Sequence, residues 1–376
     1  MTVLIIIVVA LMAMVLYLYF NRQREKTTAH VPYLESLIAL LDNNEELAMR
    51  RLKEAVNLDS DLFDAYLRLG NLYRKRGDPA RAMQIHQSLT ARPTLKKHEE
   101  KKIYHALAQD ALEAKRPNRA ISFLKEILKI DNKDSDAYGL ILRIYEDMGS
   151  YSDCIAVYEE GKFAPKNDYR RAFYYAMLAQ SKFEKLTGED RESEKEVFGL
   201  LKKSLRIAHD SITGTFFLGN FFENRGDVRK ARENYLKIIN EHPEFSFLVI
   251  PQFERASFEL GSFNDIIPIY EKIAAREPKN FSIAFALANL YEKKNDIESA
   301  QEVYTKMAEQ FPRSVLPNIR SLRLMTNDES TASKLQDIET TLLAREYTCS
   351  NCGNIRPDIS FLCERCHAIE SFSPSL

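Results

Sequence analysis

The sequence has no tryptophan, only 12 glycines among 376 residues, and a formal net charge of −1. The scarcity of glycine argues against a sheet protein with many tight turns, because such turns often require glycine. The near balance of charge argues against a nucleic-acid-binding protein, which would show a basic excess. The chain also contains no glycine-rich phosphate loop, no G-x-S-x-G and no H-E-x-x-H. The missing catalytic motifs indicate a protein that is not an enzyme.

What the sequence does contain is a repeated helical pattern. Its clearest copy is Asp64–Thr94, DAYLRLGNLYRKRGDPARAMQIHQSLTARPT. Here a glycine and a tyrosine in the first helix precede a turn glycine, a small residue in the second helix and a closing proline. This order is typical of the helix–turn–helix unit of tetratricopeptide repeats, which is about 34 residues long.

The small residue of the second helix marks the register of the array. It falls at Ala48, Ala82, Ala120, Cys154, Ala231, Ile266 and Ala300. The steps between these positions are 34, 38, 34, 77, 35 and 34 residues, and the long step holds one further, stretched repeat. We therefore predict an all-α fold, a superhelical solenoid of about eight repeats over residues 32–312. Residues 313–345 have the pattern of two more helices, which would cap the last repeat.

Arrays of this kind usually bind a protein segment along the concave face that the first helices form. An asparagine amide both donates and accepts, so it can hydrogen-bond the backbone of an extended peptide. The candidate partner-binding residues at inward positions are Asn71, Arg74, Asn220, Glu223, Asn289 and Glu292. The alternative is that they are ordinary solvated polar positions on exposed helix faces.

The N-terminus holds an unbroken apolar run of 18 residues, Val3–Phe20. As a helix it would rise about 27 Å, close to the ~30 Å hydrocarbon core of a bilayer. We therefore expect a transmembrane helix within residues 1–20 and a basic, polar linker at 21–31. No lysine or arginine precedes the run, so the positive-inside rule places the N-terminus outside and the bulk of the chain in the cytoplasm. A cleaved signal peptide or a buried core helix is the alternative.

Four of the five cysteines form two C-x-x-C pairs, Cys349 with Cys352 and Cys363 with Cys366. Two such pairs supply tetrahedral coordination by four thiolates, which suits zinc or a rubredoxin-type iron. Residues 346–376 form so short a segment that it has too little core to fold without such a metal. We expect the metal to be structural, because no flavin motif or redox partner domain accompanies it; electron transfer by iron is the alternative.

The order of anchor, repeat array and C-terminal metal knuckles resembles the lipopolysaccharide assembly protein B family. The stretches that carry the resemblance are LGNLYRKRGDPARAMQIHQSLTARPTL at Leu69–Leu95, and YTCSNCG and CERC in the tail. The resemblance covers essentially the whole chain and assigns Cys349, Cys352, Cys363 and Cys366 as metal ligands of a rubredoxin-like domain. It also has departures, since the family tail usually has tryptophan and proline where this sequence has Phe361 and Glu364.

The resemblance implies a single-pass protein of the bacterial inner membrane that regulates lipopolysaccharide synthesis as an adaptor or scaffold. Family members are thought to act with a membrane-bound AAA+ protease of the FtsH type. They promote degradation of the deacetylase that commits material to lipid A, and they gather lipopolysaccharide-making enzymes. The expected partners are thus that protease, proteins of the lipopolysaccharide pathway and a second copy of the chain. The alternatives are a rubredoxin-like redox protein and a general assembly factor for envelope complexes.

Overall fold

The structure is a computed structural model that describes residues 12–16, 29–93, 95–161, 167–186, 190–342 and 346–375. Across these residues the chain is almost entirely helical, with one small antiparallel sheet near its C-terminus. The chain divides into two compact units, residues 1–144 with 162–165 and residues 145–161 with 166–376.

The first unit is built from short helices joined by tight turns. These are α1 (29–41), α2 (Glu45–Leu58), α3 (Phe63–Lys75), α4 (Pro79–Thr90), α5 (Lys97–Glu113) and α6 (Pro117–Ile130). Helix α7 (Ser135–Asp147) begins in the first unit and ends in the second.

The second unit continues the helical pattern and ends in the sheet. Its helices are α8 (Tyr151–Glu160), α9 (Asp168–Phe183), α10 (Arg191–Ile207), α11 (Ile212–Asn224), α12 (Val228–Glu241), α13 (Ile250–Glu259), α14 (Ile266–Arg276), α15 (Phe281–Lys293), α16 (Ile297–Gln310), α17 (Leu316–Met325) and α18 (Glu329–Leu342). Two short 3₁₀ turns, Pro243–Leu248 and Phe263–Asp265, flank α13. The strands β1 (Tyr347–Cys349), β2 (Ile355–Arg356) and β3 (Phe372–Pro374) form a sheet in the order β2-β1-β3.

The turn between α3 and α4 shows why these sequences reverse direction. Gly77 has a φ of 77°, a left-handed conformation that glycine adopts without steric cost. The next residue, Asp78, accepts a hydrogen bond from the backbone N–H of Arg81 and so caps α4, while Pro79 takes the first helical position. Glycine ends one helix and an aspartate cap with proline starts the next, so only three residues lie between them.

The residues that set the predicted register are all buried. Ala48, Ala82, Ala120, Cys154, Ala231, Ile266 and Ala300 are 0% exposed. Such burial is what the predicted register requires of these positions, and Cys154 is a core residue.

In the first unit a glycine permits the close packing of α3 on α4. A β-carbon added at Gly70 would lie 2.3 Å from Nε2 of His86, which is fully buried. The Nδ1 atom of His86 lies 2.5 Å from the Asp110 carboxylate, and Nε2 lies 3.1 Å from the Leu67 carbonyl oxygen. Each ring nitrogen of His86 thus has an oxygen partner, which fixes the orientation of the ring. Arg74 donates to the other oxygen of Asp110 at 2.8 Å, which balances this buried carboxylate further.

The expectation of a transmembrane helix is wrong. Across the part of the chain that the structure describes, no helix is long and apolar enough to cross a bilayer. Of the predicted anchor the structure describes only residues 12–16; its other residues, and most of the linker at 21–31, lie outside the described residues.

The predicted fold class is corrected accordingly to an all-helical array of tetratricopeptide type, with no transmembrane helix shown. The single-pass inner-membrane localisation, with the N-terminus outside, was inferred from that helix and is corrected with it.

We expect Gly70→Ala to lower the free energy of unfolding by about 1–3 kcal/mol, because the added methyl group overlaps the buried His86 ring. Gly139→Ala is the matched control, since a β-carbon at this mid-helix glycine of α7 meets nothing within 4 Å. It should raise stability by about 0.5–1 kcal/mol through helix propensity. Urea unfolding followed by far-ultraviolet circular dichroism measures both. Equal midpoints for Gly70→Ala and the wild type would show that the close contact is not restrictive.

Candidate functional site

The structure brings the four C-terminal cysteines together. The thiol sulfurs of Cys349, Cys352, Cys363 and Cys366 all lie within 4.8 Å of one another. The Sγ atoms are 3.7 Å apart between Cys349 and Cys366, and 3.6 Å apart between Cys352 and Cys363. In a tetrahedral site with metal–sulfur bonds of 2.3 Å, neighbouring sulfurs are about 3.8 Å apart. The four thiols therefore fit one tetrahedral ion.

Two turns of the same construction present these cysteines. In the first, the N–H of Gly353 donates to the Cys349 carbonyl at 2.9 Å, and in the second the N–H of His367 donates to the Cys363 carbonyl at 2.8 Å. Gly353 and His367 occupy equivalent positions and both have positive φ, 70° and 57°. Glycine at the first position has no steric cost, whereas histidine at the second tolerates the strained conformation only if the surroundings hold it.

At two of the four cysteines, hydrogen bonds favour the thiolate form that a metal requires. Burial raises the pKa of Cys349, but hydrogen bonds from Ser371 and from the backbone N–H groups of Cys352 and Asn351 outweigh it and lower the pKa to about 6. Hydrogen bonding by Asn351, with the backbone N–H of Ala368, lowers the pKa of Cys366. Since thiolates are the ligands of zinc and iron, these two cysteines are already disposed to ligation.

The sheet and knuckles, which we call the tail (residues 346–375), dock on the helices of the second unit through an aromatic contact. The ring of Phe361 lies 5.4 Å from that of Phe216 and 5.3 Å from that of Phe217, centroid to centroid, on α11. The ring centroid of Tyr347 on β1 lies 6.1 Å from that of Phe247. The tail itself buries little beyond two cysteines and Phe372, so much of its apolar packing comes from the helices.

A buried carboxylate forms the second contact between tail and helices. Glu146, at the end of α7, is 4% exposed and accepts hydrogen bonds from Arg170 at 2.6 Å and from the Tyr174 hydroxyl. Its other oxygen lies 2.7 Å from Nδ1 of His367. Arg170 also donates to the His367 carbonyl at 2.7 Å. His367, next to the last cysteine, is thus held through both its ring and its backbone.

A third contact involves the tail residue Glu370, whose φ is 49°. Its carboxylate accepts from the backbone N–H of Thr213 at 2.8 Å, from the Thr213 hydroxyl and from the Tyr169 hydroxyl. Thr213 is the second residue of α11, so this carboxylate occupies the N-terminus of that helix, where negative charge is favoured. Burial is the main cause that raises the pKa of Tyr169, followed by the nearby Glu370 charge.

Sequence reasoning did not find the docking residues Glu146, Arg170, Thr213 and Glu370. Each looks like an ordinary polar position in its own helix or turn. Each has a hydrogen-bond partner that lies between 157 and 221 residues away along the chain. The positive φ at His367 and Glu370 is not visible in the sequence either, because neither residue is glycine.

The predicted partner-binding residues serve first to hold neighbouring helices together. Asn220 and Glu223 accept from the Tyr235 hydroxyl at 2.9 and 2.7 Å, and Glu223 also pairs with Arg255. The tyrosine follows the asparagine by 15 residues, a spacing that could have revealed the contact.

The same arrangement recurs one pair of repeats later, where Asn289 and Glu292 accept from the Tyr304 hydroxyl at 3.1 and 2.5 Å. In the first unit Asn71 instead accepts from Arg74 at 2.9 Å, and Arg74 continues to the buried Asp110. The six residues therefore lie in three separate groups, one for each of three helices.

One of these groups also borders a cleft of about 680 Å³, which we call the inner cleft. It is lined by α13, α15 and the start of α17, with Leu342 of α18 and the end of β3 at its edges. Its apolar walls are formed by Phe247, Ile250, Phe281, Phe285, Val315 and Leu342. Val315 and Leu342 are 52% and 42% exposed, so the apolar walls remain open to solvent. The volume is within the range of about 300–1,000 Å³ that ligand sites occupy.

The charges of the inner cleft leave one cation uncompensated. Glu254 lies 3.3 Å from Lys293, and burial raises the pKa of Glu254. Glu292 is bound by Arg323 at 3.0 Å and by Arg320 at 3.5 Å. Arg313, which also lines the cleft, has no ion-pair partner within the described part of the chain.

Comparison with known proteins agrees with the predicted tetratricopeptide repeats and with the resemblance to the lipopolysaccharide assembly protein B family. The sequence matches the tetratricopeptide repeat family over residues 65–99, 111–180 and 257–323. It is 23% identical over 363 residues to lipopolysaccharide assembly protein B of Escherichia coli (strain K12), covering 94% of this chain and 92% of that protein. The protein of the same name from Haemophilus influenzae is 23% identical over 324 residues, covering 83% of this chain and 79% of that protein.

Among solved structures, yeast Tom70 is 14% identical with a TM-score of 0.39, covering 82% of this chain and 76% of that chain. The resemblance to the lipopolysaccharide assembly protein B family is confirmed by the curated relatives, and the chain contains tetratricopeptide repeats.

We expect Cys349→Ser to unfold the tail and leave the helices folded. Loss of one thiolate weakens a site whose binding energy is its folding energy, whereas repeats are stabilised mainly by their neighbours. Metal content of the purified protein, limited proteolysis and circular dichroism measure these effects. The expected result is loss of the metal, cleavage near residue 346 and little change in helix content. Loss of most of the helix content would contradict this account.

Phe361→Ala should loosen the docking of the tail on the helices without loss of the metal, because it removes the contact with Phe216 and Phe217 but no thiol. Faster proteolysis between α18 and β1, with unchanged metal content, is the expected result. Ile359→Ala is the matched control, since Ile359 is an exposed apolar residue of the same tail. Equal proteolysis of the two variants would show that the aromatic contact does not hold the tail.

Proposed function

We propose that this chain, a relative of the lipopolysaccharide assembly protein B family with tetratricopeptide repeats, is a non-catalytic adaptor in lipopolysaccharide assembly. The repeats and the curated relatives support a scaffold that binds other proteins. The role would be to bring a protease and its substrate, or successive enzymes of the pathway, together by binding each of them, which raises their effective concentration.

The observation that carries this proposal is the inner cleft. Asn289 lines the cleft. Its Oδ1 atom accepts a hydrogen bond from the Tyr304 hydroxyl, whereas its Nδ2 atom has no hydrogen-bond partner among the described residues. That amide can donate to the backbone carbonyl of an extended peptide. Together with the uncompensated Arg313 and the apolar walls, it suits a partner segment that carries apolar side chains beside an acidic one.

We propose that the partners are an AAA+ protease of the FtsH type, the deacetylase that commits material to lipid A, and other lipopolysaccharide-pathway proteins. A second copy of the chain is a further proposed partner. What supports this assignment is the similarity to lipopolysaccharide assembly protein B over most of the chain.

The cysteine cluster is assigned a structural role in the same proposal. Cys349, Cys352, Cys363 and Cys366 would hold one ion, zinc or a rubredoxin-type iron, which supplies the tail with a folded core. Residues 32–312 would then be the repeat array, 313–345 its cap and 346–376 the metal-binding domain. The three contacts between tail and helices support this structural role over electron transfer, since they join the tail to the helices of the second unit.

In-cell crosslinking of the full chain, followed by mass spectrometry, tests the adaptor role. We expect the wild type to trap a membrane protease and a lipopolysaccharide-pathway enzyme. Arg313→Glu should reduce the yield of at least one of them by tenfold or more, because it reverses the uncompensated charge of the inner cleft.

Arg229→Glu is the matched control, since Arg229 is an exposed arginine of α12 that does not line the cleft. Its crosslinking pattern should equal that of the wild type. Recovery of electron-transfer proteins, or of many unrelated envelope proteins, would replace the adaptor role with the redox or general assembly alternative. Capture of the expected partners equally by Arg313→Glu would move the binding surface away from the cleft.

A further inference from the structure

The contact between α18 and the rest of the second unit depends on one buried carboxylate. Glu339 is 6% exposed, and among the described side chains of α18 it is the only one that is buried. Leu335 is half-buried, while Ile338 and Leu342 are 48% and 42% exposed. Helices usually dock by burying an apolar face, whereas the one side chain that α18 buries is charged.

Two arginines of α17, Arg320 and Arg323, receive this carboxylate, and we call them the arginine pair. The Arg320 guanidinium pairs with Oε1 of Glu339, and Nε of Arg323 lies 3.5 Å from Oε2. Both arginines also pair with Oε2 of Glu292 on α15, at 3.5 Å from Arg320 and 3.0 Å from Arg323. Two guanidinium charges are therefore balanced by two carboxylates that come from different helices.

The arginine pair borders the inner cleft. Arg320 and Glu292 line the cleft, and so does Leu342, which follows Glu339 by three residues on α18. Glu292 also accepts a hydrogen bond of 2.5 Å from the Tyr304 hydroxyl, which holds it within the array. Glu339 instead comes from a helix that packs on α17. Of the two carboxylates, Glu339 is therefore the one that can be displaced.

Glu339 satisfies the arginine pair incompletely. The Nε atoms of Arg320 and Arg323 and Oε2 of Glu339 are buried and make no hydrogen bond within the described part of the chain. A guanidinium has five N–H donors and binds a carboxylate best through two parallel hydrogen bonds. Each buried polar atom without a partner is destabilising. A carboxylate on a separate chain is not constrained by the geometry of α18, so it can engage a guanidinium through both oxygens.

We infer that the arginine pair is a carboxylate-binding site for an acidic peptide segment, and that Glu339 occupies it as an internal ligand. The inference rests on the proposed function, which assigns a partner segment to the inner cleft, and it describes that segment more closely. The segment carries a second carboxylate besides the one that Arg313 would bind. When this second carboxylate displaces Glu339, α18 leaves the arginine pair and Leu342 leaves the edge of the cleft. Partner binding therefore competes with the docking of α18.

Hydrogen–deuterium exchange of the full chain tests whether Glu339 holds α18. Glu339→Ala removes the carboxylate but introduces a strong helix former, so the amides of residues 329–342 should exchange at least tenfold faster. The amides of α15 and α16 should keep their rates. Lys334→Gln is the matched control, because it removes a charge at an exposed position of the same helix, and it should exchange as the wild type does. Equal exchange of Glu339→Ala and the wild type would overturn the inference.

Fluorescence anisotropy then tests whether the vacated site binds a carboxylate from a separate chain. The probe is a labelled synthetic peptide of residues 329–342, ESTASKLQDIETTL, which contains Glu339 and apolar side chains. The full-chain variant Glu339→Ala should bind this peptide at least tenfold more tightly than the wild type, in which the site is occupied. The same peptide carrying Glu339→Gln should bind the variant at least tenfold more weakly. Where circular dichroism shows that Glu339→Ala is not folded, Glu339→Gln in the full chain takes its place.

A second variant tests the arginine pair itself. Adding Arg323→Gln to the Glu339→Ala chain should weaken peptide binding at least tenfold, because it removes one of the two guanidinium groups. Absence of peptide binding, or binding that is unaffected by Arg323→Gln, would overturn the inference. None of these measurements involves the protease or the lipopolysaccharide enzymes. Peptide binding without capture of those partners would therefore refute the adaptor role alone, and capture without peptide binding would refute this inference alone.

Discussion

The close crossing of paired helices is the constraint on which the rest of the structure depends. At each crossing a small or slender side chain is fully buried, from Ala48 near the start to Ala300 near the end. Where the second helix places a large ring at the crossing, the first helix supplies a glycine, as Gly70 does for His86 and Gly219 does for Tyr235. The interhelix distance set in this way determines where the polar groups of each pair can meet.

The close approach of the helices also determines which polar groups the buried tyrosine hydroxyls can reach. The Tyr235 and Tyr304 hydroxyls reach an asparagine and a glutamate on the preceding helix. Each of these polar residues therefore has one side engaged in holding the array. Near the inner cleft the amide Nδ2 of Asn289 is not engaged in this way, so under the proposed function recognition and stability would use the same side chain.

Much of the array and the cysteine cluster could be predicted from the sequence, because both depend on short spacings. The register of small residues and the two C-x-x-C pairs are local patterns, and the structure buries the former and assembles the latter. The docking of the tail could not be predicted, because Glu146 and Glu370 owe their roles to residues far along the chain. The transmembrane helix was inferred from hydrophobicity alone, and no helix among the described residues is long and apolar enough to cross a bilayer.

The long separation between Glu146 and His367 has a consequence for biosynthesis. The ribosome releases the helices that bear Glu146, Phe216 and Phe217 well before it releases the tail that covers them, and domains fold in the order in which they emerge. On the proposed structural role of the cysteine cluster, the tail would need its ion before it could present Phe361 and His367 in the docked geometry. A nascent chain would then carry an uncovered aromatic surface until the tail has emerged and bound its metal. Metal supply would set how long each new molecule remains open to chaperones and to quality-control proteases.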